Sequence, residues 1–131
     1  MSFLVSEVVL GPSAHGRLSP QNLPRDQRIA AFIIQLVALA TGASAAKIAA
    51  AERDCADAAR ARQIAIYLAH TACAWPLARV AAAFERDRST CSYAVKRVED
   101  LRDEAMFDVG LIRLERCLRA APVEGCAAVT P

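Results

Sequence analysis

From Glu85 to Arg97 the chain reads "ERDRSTCSYAVKR", four cations, three aliphatic hydroxyls and a tyrosine with two acids at the turn, Glu85 and Asp87. An arginine fork presents parallel N–H donors to paired acceptors. A lysine offers a point charge, and hydroxyls both donate and accept. Such groups recognise phosphates and the edges of bases. The segment contains no glycine. Wound as a helix, it places Ser89, Ser92, Tyr93, Lys96 and Asp100 on one side, beside Arg88 and Arg97. Cys91, Ala94 or Val95, Val98, Leu101 and Ala105 fall on the other. The pattern is met equally by a solvated face and by one that lies against something negatively charged.

Catalytic chemistry has little support. Ser89 and Ser92 have no histidine base, His15 sits in a Gly/Pro/Ser-rich segment, and His70 has no nearby carboxylate or cysteine. A nucleophilic enzyme is not expected. Cys55, Cys73, Cys91, Cys117 and Cys126 form an odd set without a C-x-x-C pair. Neither a zinc site nor a disulfide framework follows, and the cysteines read as small reduced core residues. No cofactor, metal or small-molecule substrate is expected.

The elements that must position the charged segment read as helices, since β-branched residues occur singly rather than in alternating runs. Residues 1–24 look like a flexible tail, with "GPSAHGRLSPQNLP" following the apolar "SFLVSEVVL". A first helix starts near Pro24 or Arg25, with Ile29, Phe32, Ile33, Leu36 and Val37 as its apolar stripe, and ends at Thr41-Gly42. Ser44 caps a short second helix, "SAAKIAAAE". A polar connection leads into a third through "RQIAIYLAHTAC", where Ile64, Ala65, Leu68 and Ala72 share a face. Trp75 staples the start of the fourth, Pro76 takes its first position, and Leu77, Val80, Ala81 and Phe84 are its inner residues.

Only Glu85, Arg86 and Asp87 separate that helix from the fifth, which forces the two to cross at a large angle. Asp87 can accept from the free N–H groups of the fifth helix. A last amphipathic helix runs from about Phe107 to Ala120, and residues 122–131 form a loose tail. The expectation is an all-α fold, a small bundle of about six helices containing a helix-turn-helix. Residues 25–105 form its core unit and residues 106–121 an added helix.

One domain of 131 residues carries a formal charge of +2, too small to argue for a partner by itself. From Arg53 to Arg102 there are nine Lys/Arg against six Asp/Glu, and from Asp103 onward three against five. The N-terminus lacks a basic region before its apolar run, and no segment approaches a membrane span. A cytoplasmic protein without a membrane partner is expected.

"AARARQIAIYLAH" (58–70), "PLARVAAAF" (76–84) and "RDRSTCSYAVKRVEDLRDE" (86–104) follow one another in an order and spacing that resemble a known family. From about Ile33 to Glu104 the chain is similar to the C-terminal DNA-binding domain of the bacterial replication initiator DnaA. By that resemblance Arg86, Asp87, Arg88, Ser89 and Thr90 fall where family members contact the major groove and adjoining phosphates. Ser92, Tyr93, Lys96 and Arg97 continue along the same helix. Arg60, Arg62 and Gln63 match the end of a basic loop and the helix after it, and the resemblance implies that this loop enters the minor groove.

Three departures stand out. "AAERDCAD" replaces the family's basic cluster ahead of Arg60, Glu85 replaces the paired glycine of the turn, and Arg88 replaces a histidine. Arg88 can redirect base preference towards guanine, whose O6 and N7 accept a bidentate arginine. No phosphate-binding G-x-x-x-x-G-K-[ST] motif is present, so an initiator in its own right is not expected. The resemblance implies a sequence-specific double-stranded DNA-binding transcription regulator. Its narrower form is an activator of phage-like clusters such as gene transfer agents. The alternatives are a replication modulator competing for initiator boxes, and a protein-interaction module that has lost DNA binding. RNA polymerase or a second regulator is then the partner for the flanking elements.

Overall fold

The computed structural model describes residues 23–49 and 56–121. Both tails and residues 50–55 lie outside it, and with them the flexibility expected of the termini and most of the loop expected in the minor groove. Leu23 and Pro24, assigned to the tail from sequence, already belong to the first helix. Six helices occur among the described residues: α1 Leu23–Thr41, α2 Ala45–Ala49, α3 Ala56–Thr71, α4 Leu77–Phe84, α5 Arg88–Leu101 and α6 Ala105–Ala120. The fold is all-α.

In α1 the buried line is Asp26, Ile29, Ala30, Ile33 and Val37. Phe32, expected in that stripe, is exposed. At about 100° per residue it falls roughly 115° round the helix from the midline of the buried set, and Leu36 falls on the flank. Gly42 ends the helix with φ 82°, and its N–H donates to the Ala38 carbonyl at 2.8 Å. This is the left-handed C-terminal cap that Thr41-Gly42 announces. Ser44 then caps α2, whose only buried residue is Ile48.

Helix α3 is buried almost all round through Ala58, Ala61 and the unbroken run Ile64–Ala69. Such a helix must be central, and it packs between α1 and α5. Its alanines let those neighbours approach closely, while Ile64, Ile66, Tyr67 and Leu68 supply the volume. Trp75 is 1 % exposed, with the Arg79 guanidinium 4.3 Å from its ring centroid. Arg79 in turn donates Nε and Nη2 to the two carboxylate oxygens of Asp26 at 2.9 and 3.0 Å. A buried acid of α1 is thereby locked to α4.

Three inner-face expectations are corrected. In α4 the buried pair is Val80 and Ala83, with Leu77, Ala81 and Phe84 half-buried. Helix α5 stops at Leu101, so Ala105 is not on its inner face; it is exposed and opens α6. Cys73 is disulfide-bonded, against the expectation of reduced cysteines, while Cys91 and Cys117 are free thiols.

Helix α6 contributes Leu111 and Leu118 to the same core as the other helices. A polar bridge pins it as well. Arg102, at the end of α5, bonds Asp108, the Tyr67 hydroxyl at 3.0 Å and Glu115 at 3.3 Å, and Thr71 donates to Glu115 at 3.2 Å. Burial opposes the Arg102 charge, yet its bonds to Asp108 and Tyr67 outweigh that effect and raise its pKa further above the ordinary value. None of the helices described is long and apolar enough to cross a membrane.

Candidate nucleic-acid interface

The turn between α4 and α5 is built by backbone geometry that glycine would normally supply. Glu85 adopts φ 57° and ψ 47°, the left-handed region, at the end of α4. Its N–H donates to Ala82 at 3.3 Å, and the N–H of Arg86 donates to Ala81 at 3.0 Å. These are the paired 5→2 and 6→1 bonds of a Schellman cap. The substitution of glycine by Glu85 has thus kept the geometry of a glycine turn, at a conformational cost of about 1–2 kcal/mol for a residue with a Cβ. Gln27 of α1 donates to the Glu85 carboxylate at 3.3 Å.

Asp87 begins the next helix as its N-cap, with extended backbone and a carboxylate that accepts the Thr90 N–H at 2.9 Å and the Ser89 hydroxyl at 3.4 Å. Hydrogen bonding from Thr90, side chain first and backbone second, holds the Asp87 carboxyl below its ordinary value of 3.8. The acid is therefore ionised, and its oxygens face the free N–H groups at the start of α5. Cys91, one turn in, is fully buried, and desolvation with the nearby Asp87 charge pushes its thiol up to about 11. It is an inert core residue.

With the inner side filled by Cys91, Ala94, Val95 and Val98, the flank expected to face outward does so. Arg88, Ser89, Thr90, Tyr93 and Lys96 are exposed; Ser92 and Arg97 are half-buried. Tyr93 is 61 % exposed, unusual for an aromatic ring with no packing role. Arg88, Lys96 and Arg97 have no hydrogen-bond or ion-pair partner among the described residues. The acids Glu99 and Asp100 lie at the far end of the helix. Arg88 thus stands at the end where free N–H groups already favour anions, while Lys96 and Arg97 lie past the middle of the helix.

The second group divides. Arg60 lies on α3 rather than in a loop, exposed and without a partner among the described residues. Gln63 is half-buried. Arg62 is committed elsewhere: its Nε donates to the Ile48 carbonyl at 2.8 Å and its Nη2 to Lys47 at 3.2 Å, closing the C-terminal end of α2. Arg86 similarly reaches the Ala49 carbonyl at 3.4 Å. These two arginines tie α3 and the turn to the C-terminal end of α2. No local pattern marks that duty. The partners are fourteen and thirty-seven residues away.

Residues 30–98 match the family described as bacterial dnaA protein helix-turn-helix, more than half of the chain. The chain belongs to this family. The match takes in α3, α4, the turn and α5 as far as Val98, and stops before α6. Comparison with curated proteins and with solved structures finds no match. The helix-turn-helix of the family is formed here by α4, the Glu85–Asp87 turn and α5. It is a DNA-binding module rather than a catalytic one. Among the described residues no cluster of three His, Cys, Asp or Glu could hold a metal ion.

Proposed function

We propose that the protein is a sequence-specific regulator of transcription that inserts the N-terminal half of α5 into the major groove. The observation that carries this reading is the unpartnered, outward Arg88 on the first turn of a helix presented by a three-residue turn. It is joined along the same flank by Ser89, Ser92, Tyr93 and Lys96. A helix fits the groove, and an arginine at its first turn reaches paired acceptors on guanine. Ser89, Thr90 and Ser92 are placed for phosphates and base edges, and Tyr93 for an apolar contact such as a thymine methyl. Lys96 and Arg97 serve the phosphate backbone. Asp87 acts by holding the start of the helix, and Arg86 by anchoring the turn. Arg60 and Gln63 flank the segment that approaches the minor groove, and Arg62, on α3, braces the end of α2 that leads into it.

Occupying a site can recruit polymerase or exclude it, and either outcome regulates a promoter in the cytoplasm. The narrower reading, an activator of phage-like clusters such as gene transfer agents, rests on the resemblance. A genome-wide map of occupied sites tests it, since a replication modulator would be found at the origin instead.

The direct test measures binding of the purified protein to genomic fragments at two salt concentrations. Arg88→Ala should lose about 1–3 kcal/mol of discrimination between the preferred site and its variants. Lys96→Ala should weaken all sequences about equally and reduce the salt slope by about one. Negligible affinity in all three proteins would overturn DNA reading and favour an interaction module.

A further inference from the structure

On the side where α1 ends and α6 begins, an apolar groove of about 240 Å³ is lined by Ala40, Thr41, Ile64, Met106, Leu111 and Leu114, with Phe107 and Gly110. Met106 in its lining is 79 % exposed, and Val109 on the same helix 49 %, unusually apolar for a free surface. Gly110 sits in the middle of α6, where glycine lowers helix stability relative to alanine. Nothing in the fold explains it. A Cβ built there meets no atom within 4 Å, and the residue's φ is not in the left-handed region. The missing side chain leaves the groove open.

We propose that this groove is the docking site of the chain's own N-terminal segment, Ser2–Leu10, "SFLVSEVVL". The segment offers six large apolar side chains, Phe3, Leu4, Val5, Val8, Val9 and Leu10, and a single acid, Glu7. The groove offers no charge to oppose it. Reach is sufficient. Helix α1 carries the chain about 28 Å from Leu23 to the groove at Ala40 and Thr41. The twelve residues Gly11–Asn22 span up to about 40 Å when extended, so the segment can return along the helix to its far end. A second copy is the poorer occupant. Eight lining residues form less than half of the roughly 20–30 residues that each side of a stable interface contributes.

The test uses the full chain with a benzophenone amino acid replacing Phe3, irradiated and read by peptide mass spectrometry. Cross-links to the α6 peptide carrying Met106 and Gly110, or to the end of α1, are expected. Repeating the reaction on mixed isotopically heavy and light protein distinguishes the source: heavy–heavy and light–light products alone are expected, and heavy–light products would overturn docking within one chain. Gly110→Leu, whose Cβ meets no atom within 4 Å, should occupy the groove and reduce cross-linking at least tenfold, while Gly110→Ala reduces it less. Circular dichroism of both variants checks that the helices persist. Cross-links scattered over the surface, or unaffected by Gly110→Leu, would overturn the proposal. None of these readouts depends on DNA, so failure here leaves the regulator reading to its own test.

Discussion

Two residues that look alike in the sequence are assigned different duties by their surroundings. Arg60 and Arg62 both align with the family's basic segment, yet Arg60 has no partner among the described residues and Arg62 closes the carbonyl end of α2. Arg62→Ala should therefore lower stability by about 2 kcal/mol, the scale of charged hydrogen bonds to partly buried carbonyls. Arg62→Lys should not restore it, because a point charge cannot reproduce the fork. Arg60→Ala should leave the denaturation midpoint unchanged and weaken DNA binding at low salt. Urea titrations and binding isotherms on the same three proteins check the contrast.

Asp87 makes a prediction of a different kind. Its carboxyl is held below 3.8 in the folded protein by Thr90, so its contribution to stability is fully present above the unfolded pKa. That contribution disappears as pH falls through the lower folded value. The stability gap between the protein and Asp87→Ala should stay constant from neutral pH to about 4 and close on further acidification. A gap that persists at the lowest pH would mean that the cap does not act through the carboxylate.

At the level of the elements, the α4–α5 turn shows what the sequence discloses and what it hides. Thr41-Gly42 and the inner line Cys91, Ala94, Val98 were legible because they rest on local stereochemistry and on the helical period; so was the break at Trp75-Pro76, although Pro76 is the N-cap of α4 rather than its first residue. Asp87 as a cap was legible for the same reason. The angle of the reading helix was not, because it depends on Glu85 adopting a conformation that its residue type disfavours. Ala74 is a second such case, at φ 60° between α3 and α4. Position 85 is the informative one. Glu85→Gly should raise stability by about 1 kcal/mol, the left-handed penalty less the entropy that glycine adds to the unfolded chain. Since the Schellman bonds are already in place, the same variant should keep its DNA site preference. Thermal melts and a binding comparison measure the two halves of this expectation.

For the whole molecule, what escapes the sequence is the pairing of polar groups far apart in the chain. Periodicity identifies α1 as an amphipathic helix, but it cannot say that Asp26 on its buried face meets Arg79, fifty-three residues later. Nor can it gather Arg102, Tyr67, Asp108 and Glu115, drawn from α3, α6 and the end of α5. Asp26 is the sharper case because it is 1 % exposed and Arg79 17 % exposed. Both carboxylate oxygens are used, and the same guanidinium covers the Trp75 ring. Removing only the acid leaves a cation in an apolar site with its donors unmet, an arrangement that typically costs about 3 kcal/mol or more. Asp26→Ala should therefore shift the denaturant midpoint by that amount with little change in slope, since the surface exposed on unfolding is nearly the same. The loss should exceed that of Arg62→Ala, which leaves two neutral carbonyls, of buried Ile48 and exposed Lys47, rather than an unpaired charge. If Asp26→Ala instead proved neutral, the charge pair would be offset by the desolvation of its own groups, and the α1–α4 contact would rest on the shared apolar core. The turn that presents Arg88 hangs from the end of α4. A loosened α1–α4 contact should for that reason also lower DNA affinity at temperatures well below the melting transition.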